Sequence, residues 1–167
     1  MPELRIIDGA AKVRVFAEPS VLDGLPVPDG TLVGRVAPDE LILLGEPGTG
    51  AELAATLERA VASHGPAALV VDHTDGWSLH SLEGSELDEV WARISHVPLP
   101  VAGADPVFLA GRICDVAGKA FVRPGRLDIL TGAEAREHVE HRISDAGRGF
   151  GLGSVPTGDS LGIKAVR

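Results

Sequence analysis

The residues best placed to do chemistry begin with Gly45-Glu46-Pro47-Gly48-Thr49-Gly50, between an apolar run and an amphipathic segment. Its outer glycines have the spacing of a phosphate-binding loop, G-x-x-x-x-G-K-[ST]. The next two positions are Ala51 and Glu52, so the lysine for the phosphates and the hydroxyl for magnesium are both missing. The expectation is a turn feeding a helix. A second set, Glu134, His138, His141 and Asp145, falls on one stripe of a helix, where imidazoles at i and i+3 could hold a divalent metal. Glu137 and Glu140 mark that helix surface as solvated, and no second Glu-x-x-His segment completes a site, so no metal is expected. There is no G-x-S-x-G nucleophile elbow. The single cysteine, Cys114, lies in an apolar alternating segment and reads as a small core residue. No catalytic residue emerges. The remaining polar cluster is Asp72-His73 at a strand end, close in sequence to Asp75 and Trp77. Asp72, His73 and Trp77 are the candidate ligand-binding residues.

These residues need elements to position them. Leu4–Ile7 and Val13–Phe16 read as strands, followed by a Pro- and Gly-rich stretch over 18–30. Leu32–Val36 and Leu41–Leu44 read as strands joined at Pro38-Asp39. A helix follows with Thr49 and Glu52 as a capping box and Leu53, Leu57 and Val61 on one face, stopped by Gly65-Pro66. Leu69–Asp72 reads as a short buried strand, Thr74–Gly76 as a turn, and the segment from Trp77 as a half-buried strand. A second helix carries Leu87, Val90, Trp91 and Ile94, and a Pro-rich connector runs from Val97 to Pro106. Strands are expected over Val107–Val116, Ala120–Arg123 and Leu127–Leu130, then a third helix from Thr131 capped by Glu134.

The middle order, strand–helix–strand–strand–helix–strand, is that of a ferredoxin-like split βαβ. The expected class is α+β: an antiparallel sheet with helices on one face, a C-terminal ββα extension and a flexible tail. Residues 1–143 are expected to form a single domain and 144–167 a glycine-rich tail. In that tail Phe150, Leu152, Val155 and Ile163 are candidate anchors for a partner.

Composition narrows the function classes. The chain has 167 residues, 44% of them hydrophobic, enough for a sizeable core without staples. Fifteen basic against 24 acidic residues give a net charge of −9, and aromatic residues make up only 4%. Such a chain lacks both the cationic field and the stacking platforms of a nucleic-acid binder. Strictly apolar runs reach only four or five residues, too few for a bilayer span. The start, Met1-Pro2-Glu3-Leu4, has no leader character, and one cysteine forms no internal disulfide. The expected location is cytoplasmic.

The run Gly34-Arg35-Val36-Ala37-Pro38-Asp39-Glu40-Leu41-Ile42-Leu43-Leu44 resembles the strand, GPDE/APDE turn and apolar strand of the sarcosine oxidase gamma-subunit family. That family belongs to the aminomethyltransferase-like, folate-binding fold. The segments from Val70 to Gly84 and from Leu127 to Leu130 resemble the family's hairpin and closing strand, in the same order. The resemblance covers residues 31–143 and departs from the pattern at His73 and Trp77. It implies an accessory subunit, mainly structural and not catalytic by itself, of a heteromeric oxidase of sarcosine or a related N-methyl amine. Its partners would be larger flavin-bearing subunits, which would hold the FAD, FMN, NAD and tetrahydrofolate. Two alternatives remain at this stage: a free-standing binder of a folate-like small ligand, and an adaptor that docks through its tail.

Overall fold

A computed structural model of the chain describes residues 1–154, 158 and 160–163. The protein is α+β, with antiparallel sheets and four α-helices among the described residues. Two compact units form, one from the described residues of 1–8 and 76–159 and the other from those of 9–75 and 160–167.

The first unit holds strands β1 (Glu3–Ile6), β6 (Trp77–Glu83), β7 (Val107–Ile113), β8 (Val116–Arg123), β9 (Arg126–Gly132) and β10 (Gly153–Ser154). They pair in the order β10-β1-β6-β9-β8-β7, antiparallel except for the parallel β1–β10 contact. Side chains alternate across a pleated strand, so Leu82, Ala120, Val122, Leu127 and Ile129 share one face. Two helices, α3 (Leu87–Ile94) and α4 (Arg136–Gly147), cover it with Val90, Trp91, Ile94, Val139 and Ile143, all buried. The indole of Trp91 donates to Val97 O at 2.6 Å, which fastens the start of the Pro-rich connector.

The second unit holds β2 (Ala10–Phe16), β3 (Leu32–Ala37), β4 (Glu40–Pro47) and β5 (Leu69–Asp72) in the antiparallel order β3-β4-β2-β5, with helices α1 (Pro19–Asp23) and α2 (Gly50–Val61). The i, i+4 repeat of α2 sets Leu53, Leu57 and Val61 against Val13, Val15, Leu41 and Leu43. No helix among the described residues is long and apolar enough to cross a membrane.

The strands read as one split βαβ sheet are shared between two sheets, because β5 and β6 do not pair with each other. The turn between them bonds to β2 instead: the Lys12 amide donates to Thr74 Oγ1 at 3.3 Å and its Nζ to Thr74 O at 2.8 Å. Consequently β5 is an edge strand with Leu69 56% exposed, not a buried one, while β6 is central and buried on both faces. Neither expected capping box forms. Thr49 Oγ1 donates to Glu46 O at 2.7 Å, and Thr131 belongs to β9, where its hydroxyl meets that of Ser78 at 3.1 Å. The strand expected through Val116 turns at Cys114-Asp115, both at positive φ (51° and 67°), the conformation of a two-residue hairpin turn. The Pro- and Gly-rich stretch contains the short α1. Residues 144–147 continue α4, and Gly153 and Ser154 add β10.

Leu57 is fully buried between α2 and its sheet. Leu57→Ala is expected to cost about 2–5 kcal/mol, read from urea denaturation, whereas Leu69→Ala on the exposed edge should cost well under half as much. Equal losses at the two positions would contradict this core assignment.

Candidate functional site

The Gly-rich loop joins β4 to α2, and each of its glycines has a packing or backbone reason. A Cβ on Gly45 would come within 3.3 Å of Ala11 Cβ, Gly48 sits at φ +82°, and a Cβ on Gly50 would meet Thr74 Oγ1 at 2.6 Å. Loop amides are used internally: Gly48 N–H donates to Gly9 O at 3.0 Å and Thr49 N–H to Glu46 O at 3.3 Å. A cavity of about 260 Å³ adjoins the loop, and the carboxylates among its lining residues are Asp29, Glu46 and Glu52. Among the described residues no basic side chain lines it. These carboxylates oppose the charge of a polyphosphate.

Glu46 has a different role. Its Oε2 accepts the N–H of Leu161 at 2.7 Å and its Oε1 that of Ile163 at 3.1 Å, so one carboxylate holds two amides of the C-terminal segment. Leu161 is completely buried. Charge-assisted bonds of this kind are about twice as strong as neutral ones.

Asp72 and His73 lie together at the end of β5. Asp72 Oδ1 accepts the Thr74 N–H at 2.9 Å, and its Oδ2 is 3.2 Å from the position of a Cβ on Gly50. The carboxylate thus faces the first residue of α2, where the helix N-terminus favours negative charge. His73 N–H donates to Lys12 O at 2.8 Å. Trp77 begins β6 in the other unit, with the Lys119 ammonium 4.4 Å from its ring centroid. None of the three lines the cavity beside the Gly-rich loop.

The tail anchors have seats within the chain. The Arg93 guanidinium stacks 4.5 Å from the Phe150 ring centroid, and Phe150 and Leu152 pack against the first unit's core. Leu152 N–H donates to Gly147 O at 3.2 Å, and Ile163 is held by Glu46. Val155 lies outside the described residues.

The stripe on α4 is divided between separate partners. His138 Nε2 donates to Cys114 O at 2.8 Å, while His141 pairs with Asp145 at 3.2 Å. Burial pushes the Cys114 thiol up to about 12, so it remains protonated at neutral pH.

Two buried polar groups escaped the sequence reading. Asp128 is fully buried in β9 and accepts from Ser81 Oγ at 3.0 Å, Arg123 Nε at 2.9 Å and Arg126 Nε at 2.9 Å, with Arg126 also paired to Glu83 at 2.5 Å. The available signal was an aspartate inside an apolar strand run that follows Arg123 and Arg126. His80 is fully buried in β6, and among the described residues neither ring nitrogen has a partner of ordinary geometry. Desolvation lowers its pKa from 6.5 to about 4, against the opposing charge of Glu140.

No protein-family model matches the sequence, and no curated protein matches it. Solved structures do. The fold is similar to a chain of the heterotetrameric sarcosine oxidase from Corynebacterium sp. U-96, with a TM-score of 0.75 and 20% identity, covering 91% of this chain and 86% of that one. It is also similar to the glycine cleavage system aminomethyltransferase T from Bartonella henselae, with a TM-score of 0.66 and 14% identity over 92% of this chain and 47% of that one. At these identities the shared property is the fold, the one that the motifs around Pro38-Asp39 and Leu127–Leu130 resemble.

Because the folded pKa of His80 lies below its unfolded value, the unfolded state takes up the proton first on acidification. The stabilisation is present above pH 6.5 and is lost as pH falls from there towards 4, a loss of about 3 kcal/mol over the window. His80→Leu should flatten this part of the acid limb in urea titrations; an unchanged slope would refute the assignment. Separately, Glu46→Gln should raise amide hydrogen exchange at Leu161 and Ile163 with little change at Leu57, and unaltered exchange there would contradict the clamp.

Proposed function

We propose that this chain is a gamma-type accessory subunit of a heteromeric, flavin- and folate-linked oxidase of sarcosine or a related N-methyl amine. The observation that carries the reading is the likeness to a chain of a heterotetrameric sarcosine oxidase over almost the whole of both chains. A subunit of matching length, rather than one domain of a much larger chain, is the simplest counterpart to that coverage. The motif resemblance over 31–143 points to the same family independently of any coordinates.

The chemistry of the chain is in keeping with a supporting role. The one thiol is protonated at neutral pH, and the one fully buried imidazole stays neutral and shielded. The acidic cavity at the Gly-rich loop would repel the carboxylate tail of a folate. The reading therefore assigns FAD, FMN, NAD and tetrahydrofolate to larger partner chains, and gives this chain the task of completing their assembly.

Purification of the tagged chain from its native host in mild salt, followed by an absorbance spectrum, tests the proposal. A yellow complex with larger flavin-bearing chains is the expected result. A colourless chain that elutes alone overturns it and favours a free-standing ligand-binding protein of the same fold.

A further inference from the structure

Three segments far apart in the sequence converge within the first unit at the C-terminal end of α3. Arg93, Ser95 and His96 come from that helix and its exit, Arg112 from the end of β7, Asp115 from the β7–β8 turn, and Arg142 from α4. A cavity of about 250 Å³ lies among them. In a chain of net charge −9, these residues set three guanidinium groups and an imidazole against a single carboxylate.

That carboxylate is shared. Asp115 is 3.2 Å from Arg142 Nη2 and 3.9 Å from Arg112 Nε, so it offsets one positive charge and leaves the rest unmatched. Arg93 is held in place by its bond to Ala146 O at 3.0 Å and its stacking on Phe150. The Nε–H of Arg142 is buried and has no acceptor among the described residues, a costly state that an anion drawing the guanidinium into the cavity would relieve. The carbonyl end of α3 would oppose an anion, yet Trp91 O and Ile94 O already accept the N–H groups of Ser95 and Cys114 at 2.9 and 2.7 Å. The turn that carries Asp115 is itself fixed, since Cys114 O accepts from His138.

We propose that this cavity binds a small phosphate-bearing anion, inorganic phosphate or a phosphate monoester. Several planar guanidinium forks suit a tetrahedral dianion better than a singly charged carboxylate. The volume is near the lower end of small-ligand pockets, about 300 Å³, which favours a compact molecule. The proposal does not depend on the subunit reading.

Isothermal titration calorimetry of the full chain with inorganic phosphate at neutral pH, against sodium chloride at matched ionic strength, provides the test. Saturable one-to-one binding is expected with phosphate and not with chloride. Arg142→Gln and Arg112→Gln should each weaken it roughly tenfold or more, whereas Glu52→Gln, at the other cavity, should leave it unchanged. Arg112 is 69% exposed, so its variant remains decisive even if Arg142→Gln fails to fold. Absence of saturable phosphate binding, or an unaltered affinity in Arg112→Gln, overturns the proposal.

Discussion

The first unit is organised around a turn whose first residue is buried. Cys114 and Asp115 occupy the left-handed region without being glycine, and Cys114 has no exposed surface. Backbone polar groups taken out of water need partners. Here α3 supplies one through Ile94 O and α4 the other through His138 Nε2. A hairpin tip, ordinarily the most solvated part of a sheet, thereby becomes the point at which two helices and two strands are referenced to one another. The packing of Ile113, Ile94 and Val139 in one core follows from it, as does the meeting of Arg112, Asp115 and Arg142.

The second unit solves a similar problem with side chains. Lys12, almost fully buried, donates to the Thr74 carbonyl, and Asp72 caps the Thr74 amide beside the start of α2. Glu46 captures two amides of the C-terminal segment. Residues that in isolation look like a ligand cluster or a nucleotide loop are here committed to joining backbone segments.

Burial sets the charge state of two further titratable residues at neutral pH. Desolvation acts on Cys114 and His80 in opposite directions, holding each in its uncharged form. Asp128 is buried with two arginines and a serine bonded to its oxygens; a buried carboxylate without them would be severely destabilising. A scaffold with these properties shares its fold with a chain of an oxidase assembly and with half of an aminomethyltransferase.

Local signals in the sequence were enough for the α+β class, the turn at Pro38-Asp39 and the apolar faces of α2 and α3. Each depends on residues within a few positions of one another: periodicity, a Gly-Pro stop. Only tertiary structure decided the division of strands between two sheets, because β5 and β6 are neighbours in sequence while their hydrogen bonds go to β2 and to β1 and β9. It likewise decided that Thr131 extends a strand and not a helix cap, since Ser78, 53 residues away, meets its hydroxyl. The assignment of Asp72 and His73 to one unit and of Trp77 to the other, the pairing of Asp128 and the burial of His80 belong to the same class. Side-chain burial and long-range pairing are properties of the packed chain, and no short window of residues carries them.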